Sequence, residues 1–343
     1  MKRDTTERGA TRRARPHRKR WMKAASAVAG VTVCLATASV GHAVNEARHA
    51  APSAGDPTPA AGDAWTSRDA AAYWTPDRMA GAAPAGSDTP AEPAAGPSTP
   101  STRSAAPKGT AAAARAGRTA RHFDGIPSVG VLFSVDGDAE AHHCTASVVH
   151  SPHGNLILTA GHCNPGTRAA FVPQYRSGAS SQPYGVWAIE RTFAYPGRGT
   201  SGAGADLDFA FATVASGEDG DTLEEVTGGN TLSPTPGYTN DVTVIGYPNV
   251  RNDPEDRAVR CATHTGRLSG TRELRMECGG FYGGTSGSPW LSDFDEDSGT
   301  GRVIGVIGGI NGGGPKGPDA DRISYSPYFG TKILSLYARA AEK

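Results

Sequence analysis

Three residues in a particular order could do chemistry together in this chain. His162 closes the run Thr159-Ala160-Gly161-His162-Cys163, Asp208 opens Asp208-Phe209-Ala210-Phe211, and Ser286 sits inside Gly283-Gly284-Thr285-Ser286-Gly287-Ser288-Pro289. A serine hydroxyl is a weak nucleophile until a base removes its proton. An imidazole serves as that base best when a carboxylate orients its ring and stabilises its cation. His162, Asp208 and Ser286 are therefore read as the base, acid and nucleophile of a hydrolytic triad. Taken singly, each has a bland reading: a histidine after an apolar run is commonly a core residue, and a Gly-Ser stretch is commonly a surface loop. The combination carries the inference.

The glycines around Ser286 allow a tight turn and the close approach of a substrate carbonyl. In such a turn the amides of Gly284 and Ser286 can converge on one point and hold an oxyanion. The strand-to-helix nucleophile elbow of α/β-hydrolases is excluded. It needs Gly-x-Ser-x-Gly with the histidine downstream, and here Ser288 replaces the last glycine and no histidine follows Ser286. Two acids compete for the base. Asp208 leads directly into an apolar run, whereas Asp206 follows the Gly-rich stretch 199–204 and can stay solvated, so Asp208 is preferred.

The segments that must position these residues read as strands. Val129–Val135, Thr145–Val149, Leu156–Thr159, Val186–Ile189, Phe209–Val214, Val242–Gly246 and Val303–Ile310 are short runs rich in branched and aromatic residues, separated by Gly, Pro, Asn and Asp. This spacing predicts an all-β sandwich or barrel. The stretch 222–237 is poor in strand signals and could connect two halves. Ile333, Leu336, Tyr337 and Ala340 share one face at helical spacing, which predicts a C-terminal helix over 331–341.

The N-terminal third has another texture. Residues 1–23 hold ten Lys or Arg against two acidic residues, and 24–41 are small, apolar and uncharged. With Gly41-His42-Ala43 following, residues 1–43 read as a secretory signal peptide; the rival reading is a retained membrane anchor. Residues 44–121, dominated by Ala, Pro, Gly, Ser and Thr, are expected to be a mostly disordered propeptide or linker. The exception is the stretch 70–79, where Tyr73, Trp74 and Met79 suggest a segment that docks on something, read either as an inhibitory clip over the cleft or as an incidental apolar island in a linker. Arg115, Arg118 and Arg121 mark a cleavage zone that would start a mature chain near His122 to Ile126.

Residues 122–343 carry sixteen basic and twenty-five acidic side chains, a balance that argues against nucleic acid as a partner. Cys34 leaves with the signal. The four remaining cysteines allow three pairings. In an exported chain they read as disulfides rather than metal ligands. Cys144 lies nineteen residues before Cys163 and could pin the loop that carries His162, which leaves Cys261 with Cys278; the other pairings stay formally open. No metal or other cofactor is called for. Asp293-Phe294-Asp295-Glu296-Asp297 lacks the order of a calcium loop and reads as a solvated acidic turn. His142 and His143 read as surface residues.

The three motifs, with Cys144-Thr145-Ala146-Ser147 ahead of the histidine and the helical tail, resemble chymotrypsin-like (trypsin-superfamily) serine proteases, in the bacterial secreted branch near the glutamyl endopeptidases. The resemblance covers about residues 122–343. It implies two six-stranded antiparallel β-barrels, roughly 122–229 and 230–330, with the site between them. His162 and Asp208 would come from the first, and Ser286 with the Gly284 and Ser286 amides from the second. Thr285 stands where many animal members carry an activating Asp. Gly280 stands where tryptic members bind basic side chains, and Ile307 where glutamyl members place a histidine. The implied pocket, Gly280, Phe281, Ile307, Gly308 and Gly309, is uncharged and suits small or apolar side chains. The expectation is a secreted, monomeric serine endopeptidase acting on polypeptides through an acyl-enzyme, with no stable membrane partner. The alternative is a non-catalytic secreted binding protein on the same fold.

Overall fold

In the computed structural model, residues 64–84, 118–135 and 141–343 are described, and all belong to one unit, Pro52–Lys343. The signal-peptide reading, Cys34, Arg115 and most of the Ala/Pro-rich stretch lie outside these residues. The described chain opens with two short helices, α1 (Ser67–Tyr73) and α2 (Pro76–Gly81), and the short strands β1 (Ala83–Pro84) and β2 (Arg121–Phe123). Then follow β3 (Val129–Val135), β4 (Ala141–Val149), β5 (Leu156–Thr159), β6 (Thr167–Pro173) and β7 (Trp187–Ala194). The one-turn helix α3 (Gly202–Ala205), β8 (Ala210–Val214), α4 (Leu223–Thr227) and β9 (Thr231–Leu232) lead into the second half. That half contains β10 (Asp241–Gly246), β11 (Ala258–Arg267), β12 (Leu274–Glu277), β13 (Pro289–Asp295), β14 (Thr300–Val306), β15 (Ile323–Ser326) and the C-terminal helix α5 (Thr331–Ala341).

Strands β3 to β8 close into a six-stranded barrel in the order β4-β3-β6-β7-β8-β5, with β5 returning to β4 through Ser147 opposite Leu158. The sequence Val-Gly-Val-Leu-Phe-Ser-Val of β3 lacks alternation because both of its faces are covered, and every residue in it is buried. Leu132 packs with Phe171, Ile157 and Val148 in one cluster, while Val129, Val131, Phe133 and Val135 join a second cluster that runs on to Phe209, Leu291 and Ile333.

The second half is a sheet in the order β15-β12-β11-β10-β13-β14-β9, with β2 on β11. Its six strands β10 to β15 are those expected of a second barrel, but β14 and β15 share no ladder. The ring is completed by Val306 N–H donating to Ser326 Oγ (3.0 Å) and Gly308 N–H donating to the Tyr325 carbonyl (3.1 Å). Helix α5 buries Ile333, Leu336 and Ala340, three of the four residues of its predicted face, and lies against β7 and β8. No helix of the described residues is long and apolar enough to cross a membrane.

The aromatic island of the N-terminal third does dock, on the outer side of β6 and β7. Thr66 caps α1 in a reciprocal arrangement with Asp69, and Pro76 starts α2 behind the Thr75 cap, which explains how such short helices hold. Trp65 Nε1 donates to the Ala169 carbonyl at 2.9 Å and Trp74 Nε1 to the Arg168 carbonyl at 2.7 Å. Trp74 is fully buried, with its ring 5.2 Å from that of Phe133. The Tyr73-Trp74 segment is therefore part of the wall of the first barrel and not a cover on the cleft. Its far end comes nearer to the cleft: Ala83 and Pro84 pair in parallel with His142 and His143, beside Gly283.

Candidate active site

Strand β5 ends at Thr159 and the chain turns through a single 3-10 turn, Gly161–Cys163, that presents His162. Cys163 is bridged to Cys144 on β4, and Arg198 Nε donates to the Gly161 carbonyl at 2.9 Å, so the turn is tied on both sides. The second bridge joins Cys261 to Cys278.

Asp208 lies at the mouth of β8 and is fully buried. His162 Nδ1 lies 2.7 Å from Oδ2, the His162 backbone N–H donates to Oδ1 at 2.6 Å, and the Gly309 N–H donates to Oδ2 at 2.6 Å. A carboxylate only accepts, so the ring proton belongs on Nδ1, and Nε2 is left with a free lone pair. Asp206 ends α3 and makes no hydrogen bond to His162 among the described residues. The structure thus brings His162 together with Asp208 and not with Asp206.

Ser286 stands on the turn between Phe281 and β13. It is the half-exposed residue between the buried pairs Gly284-Thr285 and Gly287-Ser288. The turn is anchored to the first barrel: Thr145 N–H donates to the Ser286 carbonyl at 2.8 Å, and Thr145 Oγ1 donates to the Gly284 carbonyl at 3.1 Å. It is also braced from within by Thr285 N–H and Oγ1, both on the Tyr282 carbonyl, by Ser288 Oγ on the Thr285 carbonyl, and by Gly287 N–H on the Ile307 carbonyl. Among the described residues, the amides of Gly284 and Ser286 have no acceptor, while those of Thr285, Gly287 and Ser288 all do. Gly284 has φ +103°, and a Cβ there would lie 2.6 Å from the Asn249 nitrogen, so the turn needs glycine twice over. Ser286 Oγ makes no hydrogen bond among the described residues, in keeping with the long base–nucleophile contacts common before substrate closes a site.

The pocket residues divide. Phe281 and Ile307 are both 4% exposed and belong to the apolar cluster of the second half with Trp290 and Ile304. Gly280 is open enough to be half-exposed, and its neighbour Gly279 pairs with the chain's own Thr119, the Gly279 carbonyl accepting from Ala120 N–H at 2.8 Å. Gly308 and Gly309 present backbone, and Gly309 serves Asp208 as described.

The family profile described as trypsin-like peptidase domain matches residues 144–306, the span from Cys144 on β4 to the end of β14. Residues 144–306 are thus similar to the trypsin-like peptidases. Protease Anisep from Arthrobacter nicotinovorans is 26% identical to the chain. The match covers 66% of this chain and all of that one, with a TM-score of 0.55. A thermostable serine protease, AL20, from an extremophilic microorganism is 24% identical over 63% of this chain and 98% of its own, with a TM-score of 0.51. A Glu endopeptidase in complex with MPD is 16% identical over 66% of this chain and 98% of its own, with a TM-score of 0.49. No curated protein sequence matches the chain. The peptidase domain is thus of the serine class with the chymotrypsin-like fold, and polypeptides are the substrates that class implies.

Two residues of this peptidase domain escaped the reading of the sequence. His143 is 2% exposed and not on the surface: Nε2 sits 3.0 Å from the Tyr247 carbonyl, and burial pushes its pKa down to about 4. Its place between His142 and Cys144 in the sequence gave no sign of this. Glu273 is 1% exposed, although alternation with Leu274, Arg275, Met276 and Glu277 assigns it to the outward side. The ladder begins only at Leu274, so the alternation does not extend back to Glu273.

Proposed function

We propose that the chain is an exported serine endopeptidase in which Ser286 attacks the scissile carbonyl, His162 shuttles the proton, Asp208 holds His162, and the Gly284 and Ser286 amides bind the oxyanion. The observation that carries this reading is the His162 bond to a fully buried Asp208, which leaves Nε2 as the free basic nitrogen. His162 Nε2 takes the proton of Ser286 Oγ as the Oγ–carbon bond forms. The imidazolium is stabilised by Asp208, which stays ionised, and gives its proton to the leaving amine as the C–N bond breaks. Water then repeats the sequence on the acyl-enzyme and frees Ser286. The two unpaired amides stabilise the tetrahedral oxyanion, a donor of this kind being worth about 2.7–4 kcal/mol of barrier. No step uses a cofactor.

An alkyl fluorophosphonate probe should label Ser286 in the mature protein, and Ser286→Ala should remove the label. A folded protein that resists the probe would count against the triad and for the non-catalytic alternative. Export rests on residues 1–43 reading as a signal peptide and on the two disulfides. N-terminal sequencing of protein from the culture medium should find residues 1–43 absent. Finding the full chain only in the membrane fraction would favour the retained anchor. The uncharged pocket residues lead us to expect cleavage beside small or apolar side chains, read directly from the products of a diverse peptide library.

A further inference from the structure

Glu273, 1% exposed, is the most deeply buried acid among the described residues that the mechanism above leaves unused. Glu273 Oε1 accepts the Ile310 N–H at 2.9 Å, while Oε2 is buried without a hydrogen-bond partner among the described residues. The carboxyl lies flat on Gly309: a Cβ there would meet Oε1 at 2.5 Å and Oε2 at 3.0 Å. The N–H of that same Gly309 is the one bonded to Asp208 Oδ2. Successive amides of a single turn are therefore gripped by two acids, residue 309 by Asp208 and residue 310 by Glu273. Gly309 has φ +91° and ψ −141°, a conformation closed to other residues, so the turn must be held from outside.

A buried carboxyl with half its acceptor capacity unmet disfavours its own ionisation. Burial raises the Glu273 pKa to about 7, the Ile310 bond opposes the rise, and the charges of Asp206 and Asp208 add to it. The other charged groups near this corner are His162 on its 3-10 turn, Arg198 on the loop before α3, Arg267 at the end of β11 and Arg272 on the loop that carries Glu273.

We propose that Glu273 is a positioning residue of the catalytic centre: its carboxyl holds the Gly309–Ile310 turn against Asp208, and the charge it carries or lacks is felt by His162 through that turn. The proposal deepens the triad reading and rests on it. A residue that only filled space or capped an amide would be replaced by glutamine without electrostatic consequence, since Gln keeps an acceptor for Ile310 and loses only the charge.

The test uses Glu273→Gln and Glu273→Ala in the mature protein, with two measurements. The first is the NMR titration of the His162 ring, read without substrate. The second is kcat and KM for a peptide substrate across the pH range. An ionised Glu273 favours the imidazolium and an uncharged Gln does not, so the His162 titration curve should move to lower pH in Glu273→Gln. The acidic limb of kcat should move with it, with KM changed by less than about twofold. Glu273→Ala removes the anchor and should lower kcat by about 10- to 100-fold. Superimposable His162 titrations in wild type and Glu273→Gln would overturn the proposal, even if Glu273→Ala misfolds. Absence of turnover in the wild type alongside a shifted titration would instead break the peptidase reading and leave the coupling of Glu273 to His162 standing.

Discussion

His162 and Asp208 come from a barrel whose six strands close through continuous ladders, whereas Ser286 comes from a sheet whose ring is finished by a few bonds between β14 and β15. The contrast extends to the groups themselves. In the first half the acid is fully buried and receives three N–H donors, so its geometry is complete before substrate arrives. In the second half, the Gly284 and Ser286 amides have no acceptor among the described residues, while the amides of Thr285, Gly287 and Ser288 are bonded. On the proposed mechanism, one half holds the orienting carboxylate still, and the other keeps donors free for a charge that exists only during reaction. Preorganisation of both kinds costs stability elsewhere, and the turn recovers some by leaning on Thr145 of the first half.

The largest break in this comparison should come from the closed half. Asp208→Asn keeps the shape but presents an amide to Nδ1 and favours the wrong tautomer, so kcat should fall by about 10⁴-fold. An Asp208→Asn enzyme with near-normal kcat would show that the buried acid is not the orienting group. Next comes the open half. Gly284→Ala forces a Cβ against Asn249 and strains the turn, and should lower kcat by about 10²- to 10³-fold with little change in KM. A loss confined to KM would mean that this turn binds substrate without serving the transition state.

The two disulfides sharpen the contrast further. They join residues 19 and 17 apart, so each should stabilise by about 3 kcal/mol in the chain-entropy model. Removing either by paired Cys→Ser changes should lower Tm by similar amounts. Only the Cys144–Cys163 pair adjoins His162, so only its removal should also lower kcat, by about tenfold. Equal kcat losses for both pairs would erase the distinction.

The smallest effect is a difference in pH response. His143 on β4 has its pKa lowered from 6.5 to about 4, so the unfolded chain binds more protons between those values. Stability from this group is complete above pH 6.5 and is lost as pH falls towards 4, by at most about 3 kcal/mol. Glu273 is raised from 4.5 to about 7, so the folded chain binds more protons in that window, and stability is lost as pH rises through it. In urea melts from pH 4 to 7, His143→Gln should flatten the acid-side decline, and Glu273→Gln should make stability rise more steeply with pH. Identical slopes for wild type and both variants would show that neither group is perturbed.

Much of the frame was legible in the residues because it depends on local pattern. The strands at 129–135 and 156–159 and the helix at 331–341 fall where apolar runs and helical spacing put them. The trypsin-like span could be recognised because its motifs are short and ordered. Tyr73 and Trp74 were legible as a docking segment, since two adjacent aromatics in a polar stretch need cover. Their destination was not legible, because the carbonyls of Arg168 and Ala169 that receive the Trp65 and Trp74 indoles lie about a hundred residues away.

By itself the sequence determined the chemistry on offer: a histidine after a buried strand, an aspartate entering another, and a serine among glycines, since side-chain type and local period are written residue by residue. Tertiary structure alone decided which groups meet. Gly309 reaches Asp208 across 101 residues, Glu273 is turned inward just ahead of β12, and His143 is buried beside Tyr247. Each of these depends on two distant backbones being brought together by a shared core, and no window of sequence carries that pairing.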